Sequence, residues 1–327
     1  MLQILDVLAP IFALIGLGAV TEQRAWLGPG ALDALNRFVL RIALPAELFH
    51  LTIGLSLPDL DHPGFALAYG AAMLATSAIA FALDWRRPVD RTHRLSGATI
   101  EALAAGYANT AFIGIPICLG VFGAQASAAI TLSTLLVVCV LFALGIFLVE
   151  LEGQDGGGRT AMVLRVGGTL LRNPIIFAPL TGLALNAAST LLALPRTGSS
   201  PLLASGSTFI DLLAASATPC ALLTIGMFLA ATRQQSASRV AVWRVTALKL
   251  VVQPGLTVAA AWLCALPAVW THEAVVLAAL PTGTGPFMLA RLYRREAAVA
   301  SRVTLYSTVL SAFTLGALLY AIERTRS

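Results

Sequence analysis

The 327-residue chain is 58% hydrophobic and only 11% charged, with a mean hydropathy of +0.84. Soluble globular domains carry about a quarter charged residues, so this composition excludes that class and points to a chain solvated by lipid. The +5 net charge and pI near 9.4 do not indicate nucleic-acid binding, because no RNA- or DNA-binding module is visible and the bases follow a membrane-topology pattern.

Apolar runs predict ten transmembrane helices, at approximately 3–20, 31–54, 64–84, 97–122, 127–150, 163–190, 206–231, 240–265, 274–290 and 302–322. The first has no basic n-region, and Arg24 follows the apolar stretch, so it is expected to stay as a span. The second carries Pro45, Glu47 and His50 in its outer half. Charge inside a span is costly, which makes Glu47 and His50, one helical turn apart, candidates for proton coupling; the alternative is a pair that satisfies itself near the outer surface. The fourth and fifth come from one neutral run, Ala102 to Val149, turning near Gly120–Gln125 between Glu101 and Glu150. Glu101 and Asp211, near span ends, are expected to be solvated at the interface.

The polar stretch EGQDGGGR at 152–159 divides the chain into a first five-helix repeat (1–150), a short cytoplasmic linker (151–162) and a second repeat (163–327). An odd number of spans per half inverts the second relative to the first. Local similarities support a duplication. Ala43-Leu44-Pro45-Ala46-Glu47-Leu48 in the second segment matches Ala217-Thr218-Pro219-Cys220-Ala221-Leu222 in the seventh in the spacing of alanine, proline and leucine. Segments four and nine carry Gly/Pro interruptions, Asn109 to Pro116 and Pro281 to Pro286, each beside its half's heaviest arginine cluster.

The two sides of these segments differ sharply in basic residues. Even-numbered connections and both tails hold three arginines and the odd-numbered connections fourteen, so both termini are expected outside a bacterial inner membrane. The remaining bases, Arg37, Arg41, Arg172 and Lys249, fall in the cytoplasmic halves of their segments and are expected to snorkel. Cys118, Cys139, Cys220 and Cys264 lie in apolar segments without a ligand pattern, so no disulfide, metal or cofactor is expected.

Proline removes a backbone donor, and the carbonyls it frees need partners that lipid cannot supply. Two such breaks crossing at a repeat interface would make a small polar pocket, with half-helix N-termini suited to an anion. The candidate substrate-binding residues are Asn109, Thr110, Gly114 and Pro116 in segment four and Pro281, Thr282, Gly283, Thr284 and Pro286 in segment nine. The bland alternative is that these residues only satisfy the freed groups of kinked helices. Neither interrupted segment holds a cation, so helix ends and amides alone would hold the anion.

The stretches GYANTAFIGIP at 106–116 and ALPTGTGPF at 279–287 resemble the span-four and span-nine motifs of the auxin efflux carrier family. That family includes plant auxin exporters and bacterial relatives proposed as malonate carriers. Weaker similarities are Arg172-Asn173-Pro174 and Leu35-Asn36-Arg37-Phe38, and the resemblance runs over nearly the whole chain. It implies an inverted-repeat fold shared with bile-acid symporters and sodium/proton antiporters, with spans four and nine crossing at Pro116 and Pro286. It also implies transport of an organic anion by an elevator-like movement, with Asn109 nearest the substrate carboxylate. The long cytoplasmic loop of plant members is absent, so regulation through it is not expected.

The fold class expected is thus an all-α polytopic membrane protein of two inverted five-helix repeats with broken crossover helices 4 and 9. Its expected partners are a small organic anion and the bilayer, with no nucleic acid and homodimerisation left open. A channel or sensor on the same fold is the alternative. An enzyme is disfavoured, because HExxH and GxSxG are missing and His50, His62, His93 and His272 are scattered.

Overall fold

A computed structural model describes residues 2–55, 61–87, 93–152, 167–168, 174–192, 201–232 and 237–326. Most of the expected linker, together with Arg172 and Asn173, lies outside the described residues. Among them every regular element is helical, apart from one antiparallel bridge between Ala108 and Thr282.

In chain order the helices are α1 (Leu2–Gln23), α2 (Ala31–Phe38), α3 (Leu44–Ile53), α4 (Pro63–Trp85), α5 (Arg94–Gly106), α6 (Ile115–Phe122), α7 (Ser127–Leu135) and α8 (Ala143–Glu152). They continue with α9 (Pro174–Leu191), α10 (Pro201–Thr232), α11 (Arg239–Ala247), α12 (Gln253–Leu263), α13 (Ala268–Ala279), α14 (Gly285–Leu292) and α15 (Ala298–Arg326). Several adjoining pairs run on through wide π turns, at Val39–Ala43, Thr110–Gly114, Leu136–Phe142 and Leu248–Val252. Three of these turns are followed two residues later by a proline, Pro45, Pro116 or Pro254, in the first turn of the next α segment. A proline ring strikes the carbonyl four residues back in a regular helix, and the wider turn makes room for it.

Among the described residues, seven helices are long and apolar enough to cross a membrane: Asp6–Gln23, Pro63–Trp85, Ala124–Glu152, Pro174–Leu191, Ala204–Ala231, Arg239–Leu263 and Ala298–Arg324. Thr110–Phe122 and Ala268–Ala279 are shorter apolar helices. The stretch from Ala31 to Ile53 is helical throughout but carries Asp33, Arg37, Arg41 and Glu47, too much charge to qualify on composition.

Packing separates the helices into two groups. α1 lies along α10, and α9 along α3, while α3 also packs on α10. The contacts are backbone-close: a Cβ on Gly18 would fall 2.1 Å from Leu223 O, and one on Gly226 would fall 1.9 Å from Ile15 O. At the α9–α3 crossing a Cβ on Gly182 would fall 2.1 Å from Thr52 Oγ1, and Asn186 Nδ2 donates to Thr52 O at 3.1 Å and to Leu55 O. Small residues and polar side chains hold these crossings, as expected where lipid gives no hydrophobic drive for helix association. The second group is built from α4 on α5 and α12, α13 on α12, α11 on α15, and α8 on α5.

At one end of the second group, charged loop-proximal residues converge. Arg244 meets Glu101 at 2.5 Å and Asp84 at 3.6 Å, and Arg87 meets Asp84 at 3.3 Å and Glu101 at 3.8 Å. Both carboxylates are buried, so Glu101 is not solvated at an interface but enclosed by guanidinium groups, the arrangement that makes a buried charge tolerable. Glu152 accepts from the Leu95 N–H at 2.6 Å and the Ser96 N–H at 3.3 Å, capping the start of α5 with a carboxylate. At the other side of the molecule His50 pairs with Asp211 at 2.8 Å, across α3 and α10, rather than with Glu47.

The α1–α10 crossing generates a stability test. Gly226→Val should cost about 3 kcal/mol, the upper end of overpacking penalties, because the new side chain meets backbone that cannot rotate away. Tryptophan-fluorescence melting of detergent-purified protein should show a lowered Tm; an unchanged Tm would mean that the two helices separate easily.

Candidate functional site

Two interruptions meet in the middle of the second group. Pro281 pushes the residue before it out of the α region, and Leu280 accordingly sits at φ −58°, ψ 150°, ending α13. Between α5 and α6 no proline falls at the break. α5 ends at Gly106, Tyr107 takes φ −80°, ψ 87°, and Asn109 (φ −79°, ψ 59°) restarts the helix as an N-cap, its Oδ1 accepting from the Phe112 N–H at 3.3 Å. The two extended pieces cross as a minimal antiparallel ladder, with Asn109 N–H donating to Pro281 O at 2.9 Å and Gly283 N–H to Tyr107 O at 3.0 Å.

The crossing therefore lies at 107–109 against 281–283, and the expectation that Pro116 marks it is corrected. Pro116 sits two residues past the π turn Thr110–Gly114, whose wider winding makes room for its ring. Pro286 opens α14 just after the crossing.

Breaking two helices exposes carbonyls at the ends of α5 and α13, and three of them take side-chain donors. Thr282 Oγ1 donates to Ala104 O at 2.7 Å, and Gln253 Nε2 to Gly106 O at 3.2 Å. Lys249 Nζ donates to Ala278 O and to Gln253 Oε1, both at 2.6 Å. Ser307 Oγ accepts from the Thr282 N–H at 3.0 Å. Lys249 is fully buried, which overturns the expectation that it snorkels. Its amino group bonds the C-terminal end of α13 and the Gln253 side chain, which in turn reaches the end of α5. Sequence reasoning missed this pair; the only signal was a lysine and a glutamine four apart, one helical turn, in an otherwise apolar span.

Beside the crossing is a cavity of about 80 Å³. Its polar lining comes from Asn109, Thr110 and Thr284, with Tyr107, Gly283 and Gly285 completing that wall. Thr110 Oγ1 accepts from Thr134 Oγ1 at 3.0 Å, and the Thr284 hydroxyl is engaged only weakly, 3.8 Å from Met288 Sδ. The opposite wall is apolar: Leu40, Leu44 and Ile175 from the first helix group, and Val137, Val138 and Phe142 from the second. Tyr107 stands edge-on to Phe142 with centroids 5.8 Å apart, and its ring covers Gly285 so closely that a Cβ there would fall 2.6 Å from Cζ. Among the sequence candidates, Asn109, Thr110, Gly283 and Thr284 line this cavity. Gly114, Pro116, Pro281, Thr282 and Pro286 do not, nor do Glu47 and His50.

The Lys249 bridge gives a direct test. Lys249→Met keeps the length but leaves Ala278 O and Gln253 Oε1 without their shared donor, at a cost of about 3 kcal/mol. Melting of the purified variant should show the loss. A variant as stable as the parent would show that the ammonium does not hold the half-helices together.

Comparison with known proteins places this architecture. The family described as "Membrane transport protein" matches residues 3–319. A protein of Rhizobium meliloti (strain 1021) named "Putative malonate transporter" is 28% identical over 324 residues, covering 99% of this chain and 97% of its own length. An "Uncharacterized transporter" of Methanothermobacter thermautotrophicus is 22% identical over 309 residues, covering 93% and 94%. Broken helices in an all-helical membrane protein, matched over nearly their full length, are those of a transporter rather than an enzyme: the chain belongs to the membrane transport protein family, that of the auxin efflux carriers.

Proposed function

We propose that this protein is a secondary carrier for a small carboxylate, working by alternating access across a bacterial inner membrane with both termini outside. The observation that carries the reading is the position of the cavity: it lies beside the crossed half-helices and on the seam between the two helix groups, with Leu40, Leu44 and Ile175 on one side and Asn109, Thr110, Gly283 and Thr284 on the other. A substrate seated there touches both bodies, so sliding the second against the first would carry it from one membrane face to the other.

Two inverted five-helix repeats, 1–150 and 163–327, are part of the proposal. Their support is an exchange of partners. The first helical stretch packs on the seventh just as the sixth packs on the second, through α1 with α10 and α9 with α3. Likewise the third packs on the fourth as the eighth on the ninth, through α4 with α5 and α12 with α13. Ten crossings follow if the charged stretch 31–53 and the two broken segments each count as one.

Asn109 is assigned the substrate carboxylate, and malonate enters as one substrate to test because a relative bears that name. Purified protein in liposomes should take up or exchange a small carboxylate, and Asn109→Ala should reduce that flux at least tenfold while leaving membrane expression unchanged. Pro286→Ala should do the same by loosening the start of α14. Unchanged flux in both variants would sink the site.

Coupling to sodium is not part of the proposal. Where the two half-helix C-termini converge, the carbonyls that could coordinate a cation are already bonded, Ala278 O by Lys249 Nζ and Gly106 O by Gln253 Nε2. Transport rates in sodium and in choline buffers should therefore agree within about twofold, and a strict sodium requirement would overturn this reading.

A further inference from the structure

Resting on the carrier reading, we infer that the cavity selects a compact monocarboxylate with an apolar body, and disfavours dicarboxylates, malonate included. Asn109 is 6% exposed, and its Oδ1 is already used by the Phe112 N–H. Its Nδ2 donates to no described residue, so a buried amide donor remains beside the cavity for one carboxylate. The Thr284 hydroxyl, held only by a thioether, is the second donor at the same wall.

Away from that polar wall, the described lining offers a second anionic group neither a cation nor a hydroxyl. Leu40, Leu44, Val137, Val138 and Ile175 make an apolar wall, and no Lys, Arg or His is among the lining residues described. Lys249 is committed to Ala278 O and Gln253, while Arg37, one turn before Leu40, and Arg41, next to it, are exposed. A dianion would leave one carboxylate dry and unpaired, which is far costlier than burying a methyl or isopropyl group in the same place.

Size narrows the class further. The cavity offers about 80 Å³, roughly half the ~150 Å³ that accommodates benzene in an engineered protein cavity, so it favours a small aliphatic body over an indole ring. The matching ligand is an aliphatic monocarboxylate of about three to five carbons.

The test uses the full-length protein in detergent at neutral pH, titrated with butyrate, malonate and indole-3-acetate and read by thermal shift and calorimetry. Butyrate should bind at least tenfold more tightly than malonate, and Asn109→Ala should remove its effect. Met288→Lys, close in length at the half-buried edge of the lining, should move the butyrate-to-malonate preference at least tenfold toward malonate. Malonate bound as tightly as butyrate by the parent protein overturns the inference but leaves the carrier intact. If Arg172→Gln then removes malonate binding, that arginine is the cation that defeats it. Equal binding of indole-3-acetate overturns the size argument in the same way. Binding of none of the three overturns the selectivity and the carboxylate-carrier reading together.

Discussion

Everything at the centre of this protein follows from the need to find partners for backbone groups where water and lipid cannot supply them. Two helices stop near the middle of the molecule, and each stop frees carbonyls and N–H groups. The chain answers first by pairing the two breaks with each other, Asn109 to Pro281 and Gly283 to Tyr107. Side chains from neighbouring helices then take what remains: Thr282 and Gln253 on α5, Lys249 on α13, Ser307 on the crossing itself. Each partner belongs to the same helix group. Sliding α5 alone would break several of these bonds at once, so the proposed carrier motion is that of the whole group against α1, α3, α9 and α10.

The sequence disclosed the membrane class, the helical stretches and the two breaks, because hydropathy and proline act locally. Pro281 ends its helix by a steric rule that involves only its neighbour, and Asn109 caps through a bond three residues away. What it disclosed poorly depends on direction and on distant partners. Thr282 and Thr284 look equivalent in the sequence, yet backbone outside a helix turns successive side chains to different sides, and Thr282 caps α5 while Thr284 lines the cavity. Pro116 drew attention as a helix breaker, but a π turn absorbs it. Lys249 was read by the rule for long cations near a membrane face, whereas its partners come from residues 29 positions along and from its own helical turn. His50 found Asp211, not the nearby Glu47, for the same reason.

Charge is distributed with equal economy. Asp84, Arg87, Glu101 and Arg244 neutralise one another at one end of the second helix group, and Lys249 is bonded to Gln253 and the end of α13. Among the described residues, the cavity between these charges is left with amides, hydroxyls and hydrocarbon. A carrier must release what it binds, and a formal charge buried opposite an anion would hold it through interactions that low dielectric makes strong. In the proposed carrier, neutral donors such as the Asn109 amide would give directionality for a carboxylate while keeping affinity modest. The seam position would reinforce this, because half of the lining, with Leu40, Leu44 and Ile175, would stay behind as the other half moves. Each transit would then strip the substrate of its apolar contacts, and a site held mainly by those contacts would loosen as it reaches the far side.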